Sequence, residues 1–158
     1  MEHIDKIIKL QSLAIMVISV AISIIDIKTY RIPDTLLVIL LLSLIFFDFL
    51  KAYNEGCNQR YSFISTHLLS AIIIFTIFFA IYYFVKSMGF GDVKYASVLA
   101  YGLGLKGIYI ALAIATIGSL ILFFVGYFLL GWSKKTKLPF ALFLSIGAIF
   151  SIIGELYL

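Results

Sequence analysis

The chain has 158 residues, of which 63% are hydrophobic and only 13% charged, and its mean hydropathy is +1.15. That charged share is about half of the roughly 25% found in soluble domains, and so short a chain cannot hide this much apolar surface in a water-soluble core. The composition therefore excludes a soluble domain and indicates an integral membrane protein. The net charge of +4 does not indicate a nucleic-acid partner, because the Lys and Arg residues lie mostly in short links between apolar runs, where they set topology.

Six apolar runs follow one another, at about residues 7–25, 35–50, 67–85, 93–105, 108–130 and 138–153. A transmembrane helix needs about 20 residues, a length that the first, third and fifth runs reach easily. The fourth run is short and rich in glycine, which indicates a helix packed closely among its neighbours. We therefore predict an all-α, polytopic membrane protein with six transmembrane helices, the fourth short and buried, in a single membrane-embedded domain over residues 1–158.

The basic residues predict an orientation, because cytoplasmic links carry an excess of Lys and Arg. If the N-terminus is outside, the basic residues on the cytoplasmic side are Lys28, Arg31, Lys86, Lys94, Lys134, Lys135 and Lys137. Those on the outer side are then Lys6, Lys9, Lys51, Arg60 and Lys106. This bias favours both termini outside and the links at 26–34, 86–94 and 131–138 inside.

Two acidic stretches then share the cytoplasmic side, "DIKTYRIPD" at 26–34 and "GFGDVK" at 89–94. Asp26 lies at the inner boundary of the first span, and Asp92 begins the fourth. A carboxylate at the centre of a bilayer costs about 2.5–3.5 kcal/mol on insertion scales, so such residues indicate function and need a partner. We expect each aspartate to be the partner of the other.

Two carboxylates in a partly dry site cannot both ionise easily, so one of them retains a proton. The ionised member can take a proton from a water that attacks a peptide carbonyl, and the protonated member can donate to the leaving group. Gly89 and Gly91 would let a substrate backbone lie close to Asp92. This chemistry needs no metal and no cofactor. The single cysteine, Cys57, also excludes a paired-cysteine zinc or redox motif.

Simpler interpretations exist for each aspartate alone. Asp92 is also the residue that a helix dipole favours in a first turn, and Asp26 could pair with Lys28 or Arg31. A different function, a small proton- or ion-coupled transporter subunit, would use both aspartates as carriers. That function favours ionisable residues near the bilayer midplane, whereas both aspartates lie near one edge. The conjunction of two membrane-edge aspartates on one side favours a hydrolytic site.

The chain resembles the type IV prepilin peptidases, membrane aspartic proteases that include the archaeal preflagellin peptidases. The resemblance rests on Asp26 in "DIKTYRIPD", on Gly89, Gly91, Asp92 and Lys94 in "GFGDVK", and on Pro139 in "KLPFALFLSIGA" at 137–148. Ala141 and Leu142 stand where the last segment usually has a small residue and proline. A second GxGD family, of the signal-peptide-peptidase and presenilin type, is expected to have nine spans, which argues against it.

The resemblance implies an endopeptidase that removes the short basic leader of prepilins, pseudopilins or preflagellins at the cytoplasmic face of the cell membrane. Asp26 and Asp92 would be catalytic, whereas Gly89, Gly91, Lys94 and Pro139 would bind substrate or shape the site. Prepilin-like proteins and membrane lipid are the expected partners; the sequence does not predict an oligomeric state. Because only six residues precede the first span, we expect no methyltransferase domain.

Three further polar residues are given structural roles. Asp34 follows Pro33, which disfavours helix for Ile32, so we interpret Asp34 as the N-cap of the second span. Asp48 and His67 are predicted at the outer ends of their spans, away from the aspartate pair.

Overall fold

The computed structural model describes residues 2–54, 57–85, 89–129 and 139–157, and every regular element within them is an α-helix. The helices in chain order are α1 (Glu2–Thr29), α2 (Asp34–Asn54), α3 (Cys57–Val85), α4 (Phe90–Leu129) and α5 (Phe140–Tyr157). Helices are the expected form of such apolar sequence, because a helix satisfies its own backbone groups where no water can do so. The predicted all-α class is therefore confirmed.

Four helices are long and apolar enough to cross a membrane, over Ile4–Thr29, Asp34–Tyr53, Ser65–Phe84 and Phe90–Phe128. The apolar part of α5, Phe140–Glu155, is shorter. The described residues thus support a multi-pass membrane protein, but they do not support the predicted six transmembrane helices. The sequence predicts a break between the runs at 93–105 and 108–130, whereas residues 106 and 107 lie inside α4.

Helix α4 is interrupted at one residue, Gly104, whose φ of 67° and ψ of 179° are not helical. Only glycine adopts this backbone region readily. The contacts with α5 give the direction of each segment of α4. Before Gly104, Tyr95 bonds Ser145, and Leu103 lines one cavity together with Ile152. After Gly104, the α5 neighbours are Ser151 for Gly107, Gly147 for Ala111 and Phe143 for Gly118. The α5 partners advance along α5 before Gly104 and return after it, so the two segments of α4 run in opposite directions. The first segment, residues 90–103, is too short to cross a bilayer alone.

The first segment of α4 forms the centre of the molecule. Its fully buried side chains are Val93, Tyr95, Ala96, Leu99 and Ala100. In the middle of α1 the large exposed side chains are apolar, as a surface in contact with lipid requires; they are Leu13, Val17, Val20 and Ile24. Small residues bring α5 against α4: a side chain at Gly147 would collide with the backbone of Ala111.

Two ends of the bundle can be distinguished by their contacts. At the first, α1 ends and α2, α4 and α5 begin; we call it the aspartate end, because it holds Asp26, Asp34 and Asp92. At the opposite end, residues from the start of α1, the end of α2, the start of α3, the Gly104 region and the end of α5 line a cavity of about 240 Å³.

Candidate active site

Asp26 lies in the last turn of α1, where the end of the helix fixes its position. The N–H of Tyr30 donates to the carbonyl oxygen of Asp26 at 2.8 Å, and Tyr30 has a φ of 50°. This is the helix-terminating arrangement in which a left-handed residue follows the helix, a place usually taken by glycine. The side chain of Asp26 turns inward, and only 5% of the residue is exposed.

The start of α5 meets Asp26 from the other side. The backbone N–H of Ala141 donates a hydrogen bond to the Asp26 carboxyl group. Ala141 belongs to the first turn of α5, which begins at Phe140 directly after Pro139. First-turn N–H groups have no partner within their own helix and favour negative charge. The third motif of the sequence therefore contributes a main-chain donor, and Pro139 helps by marking where the helix begins.

Asp92 is held by the end of its own helix. Its carboxyl group accepts a hydrogen bond from the Gly89 N–H, and its N–H donates to the Gly89 carbonyl oxygen at 3.1 Å. The bond from the Gly89 N–H to the Asp92 carboxyl group is one half of a capping box, and the other bond joins main-chain groups because glycine has no side chain. A Cβ at residue 89 would lie 3.3 Å from Asp92 Oδ2, so a larger residue would press on the carboxylate. The GxGD motif thus positions its own aspartate.

The two carboxyl groups are close enough to interact electrostatically, since the charge of Asp26 acts on Asp92. Oδ2 of Asp26 is buried and has no hydrogen-bond partner within the described part of the chain. Asp92 is only partly buried. A buried carboxyl group thus lies near a partly exposed one, an arrangement that suits general acid–base chemistry on a water molecule.

Gly91 and Lys94 join the start of α4 to the segment between α1 and α2. A Cβ at Gly91 would lie 3.2 Å from Cβ of Ile32, so this glycine faces protein. Nζ of Lys94 lies 2.8 Å from Oδ1 of Asp34 and 5.2 Å from the ring centroid of Phe90. The structure therefore places both residues beside the aspartates, where they set the position of the α4 terminus.

Asp34 is not the N-cap of α2. The carbonyl oxygen of Pro33 accepts from the N–H groups of Leu36 and Leu37, at 3.1 and 3.4 Å, so Pro33 occupies the capping position. Asp34 is the first helical residue, and its side chain is 69% exposed. Its carboxylate binds Lys94 across the two chain segments, a partner 60 residues away that local sequence could not indicate.

Asp48 and His67 lie together at the opposite end of the bundle. Nε2 of Gln11 donates to Oδ1 of Asp48 at 3.3 Å, and the buried ammonium group of Lys51 donates to Oε1 of Gln11. Nδ1 of His67 lies 2.6 Å from the Tyr101 carbonyl oxygen. Among the described residues, no group of three or more His, Cys, Asp or Glu side chains is arranged to hold a metal ion.

Two features of the site are absent from the sequence interpretation. The Ala141 N–H is a main-chain group, for which only the position of the third motif gave a signal. The second feature is a set of three hydroxyl-bearing residues near the aspartates. They lie inside apolar runs, where the sequence gave no sign of a role for them: Ser19, Tyr95 and Ser145. Four basic residues used for the orientation, Lys86, Lys134, Lys135 and Lys137, lie outside the described residues.

A comparison with protein families finds one match. The model of a family described as the type IV leader peptidase family matches residues 13–154, which include both aspartates and all three motifs. Neither a curated protein nor a solved structure matches the chain.

Proposed function

Because the chain belongs to the type IV leader peptidase family and is a protease by that membership, we propose that Asp26 and Asp92 are its catalytic pair. The observation that carries this proposal is that the two carboxyl groups come from different helices at the end of the bundle where Ser145 links Tyr95 of α4 to Ser19 of α1. Each of them is held by a main-chain N–H at the start of a helix. Two aspartates fixed in this way form a preorganised acid–base pair.

The pair acts on a water molecule held between the two carboxyl groups. The ionised aspartate removes one proton from the water as the water oxygen attacks the carbonyl carbon of the scissile peptide. The protonated aspartate donates its proton to the peptide nitrogen as the C–N bond breaks. The first aspartate has then gained a proton from the water and the second has lost its proton to the nitrogen. The products are a carboxylic acid and an amine, and the pair again carries one proton.

The substrate is a prepilin-like protein with a short basic leader followed by a hydrophobic helix. The aspartates lie where α1 ends and where α2 and α4 begin, at the edge of the apolar region. A scissile bond between a soluble leader and a membrane helix would lie at the same depth. The sequence-based orientation puts this edge at the cytoplasmic face of the cell membrane.

A cleavage assay tests this function. The purified protein in detergent is incubated with a prepilin-like substrate and with the same substrate lacking its leader, and products are separated by mass. We expect a shorter product from the first substrate alone, and only from a protein that retains Asp26 and Asp92. Absence of cleavage with every class of leader-bearing substrate would contradict the proposal and would favour the proton- or ion-coupled transporter.

A further inference from the structure

A buried hydroxyl cluster, formed by Tyr95, Ser145 and the carbonyl group of Ser19, lies beside the aspartates. The hydroxyl oxygen of Tyr95 lies 2.6 Å from Oγ of Ser145. Oγ of Ser145 lies 2.8 Å from the Ala141 carbonyl oxygen and 3.1 Å from that of Ser19. Tyr95 and Ser19 are fully buried, and Ser145 is nearly so.

The direction of each hydrogen bond follows from what the partners can do. The carbonyl oxygens of Ala141 and Ser19 can only accept, so the single hydroxyl proton of Ser145 points towards them. Ser145 Oγ is then free to accept, and the Tyr95 hydroxyl donates to it. The result is a directed chain from α4 through α5 to α1.

The cluster lies directly beneath the aspartate pair on each of the three helices. Tyr95 follows Asp92 by three residues and Ser19 precedes Asp26 by seven, and both spacings keep residues on one face of a helix. Ser145 follows Ala141, the main-chain donor to Asp26, by four residues. The three elements that form the site are thus joined about one to two turns below it.

The hydroxyl groups are not needed to fill space. Phenylalanine at position 95 and alanine at position 145 would occupy nearly the same volumes without a polar atom to satisfy. Burying a hydroxyl is costly unless it is hydrogen-bonded, and the bonds of Tyr95 and Ser145 fix the relative position of the groups that they join. Ser19 contributes its carbonyl group alone, since its Oγ is buried with no hydrogen-bond partner among the described residues.

We propose that Tyr95 and Ser145 are positioning residues that hold the helices of Asp26 and Asp92 in register for water activation. This inference rests on the proposed function. Catalytic groups must be held within a fraction of an ångström, and small displacements reduce the rate of chemistry more than they reduce binding. Neither side chain takes part in proton transfer to the substrate.

The test compares kcat and KM for prepilin cleavage in Tyr95→Phe, Ser145→Ala and the double variant. We expect kcat to fall by about 10- to 100-fold in each single variant, with KM unchanged within about twofold. Because both substitutions remove the same hydrogen bond, the double variant should be no slower than the slower single variant. Melting curves in detergent establish whether each variant is folded. If one single variant is not folded, the kcat of the other single variant decides the test.

Two control variants remove a hydroxyl elsewhere. Tyr109→Phe changes a tyrosine that is 76% exposed, and Ser97→Ala removes a hydroxyl that bonds only within its own helix, to Val93. Both variants should cleave prepilin with the kcat of the unmutated protein. An unchanged kcat in folded Tyr95→Phe or Ser145→Ala, or a change in KM alone, would overturn the inference. If the unmutated protein does not cleave, or Asp26→Asn does, the proposed function itself has failed.

Discussion

At the scale of single residues, main-chain groups explain why the two aspartates stand where they do. Asp26 accepts from the Ala141 N–H and Asp92 from the Gly89 N–H, so each carboxyl group completes the first turn of a helix. These contacts keep the side chains fixed before any substrate arrives. Preorganisation of this kind is a large part of what an active site contributes to catalysis.

Tyr30 has the only positive φ among the described residues other than glycine, at 50°. An L-residue in this region is strained by about 1–2 kcal/mol. Tyr30→Gly should remove that strain and, after the entropy that glycine loses on folding, raise the free energy of unfolding by up to about 1 kcal/mol. Thermal melting in detergent measures the change, and Tyr30→Ala, which keeps a Cβ, is the control. A lower melting temperature for Tyr30→Gly than for Tyr30→Ala would contradict the assignment.

The sequence singled out two carboxylates as candidate catalytic groups but did not predict which groups hold them. Asp26 and Asp92 could be singled out because a charge at the edge of an apolar run is costly. The groups that bind the aspartates at this end could not be predicted from the sequence. Ala141 contributes a backbone N–H to Asp26, and Lys94 binds Asp34 from 60 positions further along the chain. Gly91 was expected to admit a substrate backbone, whereas in the structure it faces Ile32.

At the scale of elements, the reversal inside α4 organises the bundle. Its carbonyl groups find donors on α3: Ser70 Oγ donates to the Ala100 carbonyl oxygen at 2.7 Å, and His67 Nδ1 lies 2.6 Å from that of Tyr101. Breaking a helix deprives carbonyls about four residues earlier of their usual donors. Side chains of α3 thus compensate for the interruption at Gly104.

Gly104→Ala should destabilise the protein by about 1–3 kcal/mol, because a φ of 67° with a ψ of 179° is strained for any residue with a Cβ. Space is not the cause, since the nearest atom to a Cβ there, on His67, is 3.9 Å away. The matched control is Gly154→Ala in α5, where a Cβ meets nothing within 4 Å and should stabilise the helix slightly. Chemical or thermal unfolding of both variants in detergent measures the effect. Equal stability of the two variants would contradict the turn at Gly104.

Apolar periodicity predicted the helices but not the way in which two of them join. The apolar runs at 93–105 and 108–130 predict a link at residues 106–107, whereas within α4 only Gly104, inside the predicted fourth run, leaves the helical conformation. The sequence could not reveal this, because the carbonyl groups of Ala100 and Tyr101 are satisfied by α3, which precedes them by some 30 residues. Tertiary contacts thus allowed a turn without a loop.

At the scale of the whole molecule, the two ends of the bundle differ in charge and in chemistry. The aspartate end holds Asp26 and Asp92, and the opposite end holds a buried network of Gln11, Asp48 and Lys51. We propose that the aspartate end faces the inside of the cell, an orientation that the distribution of Lys and Arg in the sequence predicts.

Labelling in intact cells tests this orientation. In a chain with Cys57→Ser, the variant Thr35→Cys carries a thiol at the start of α2, at the aspartate end, and Glu155→Cys carries one near the end of α5. Both positions are exposed. A membrane-impermeant thiol reagent should label the second variant in intact cells and the first only after lysis. The reverse pattern would place the aspartates on the outer face.

The central claim, that Asp26 and Asp92 act as one unit, is tested most directly by the cleavage rates of Asp26→Asn, Asp92→Asn and the double variant. Asparagine keeps the size of aspartate but cannot exchange the proton, so each single variant should lower kcat/KM by about 10²–10⁴-fold while remaining folded. The double variant should lose little more than the slower single variant, because residues that act together are not additive. Asp5→Asn, at an exposed position early in α1, should cleave at the unmutated rate. Cleavage at that rate by either single variant, or losses that multiply in the double variant, would contradict the account.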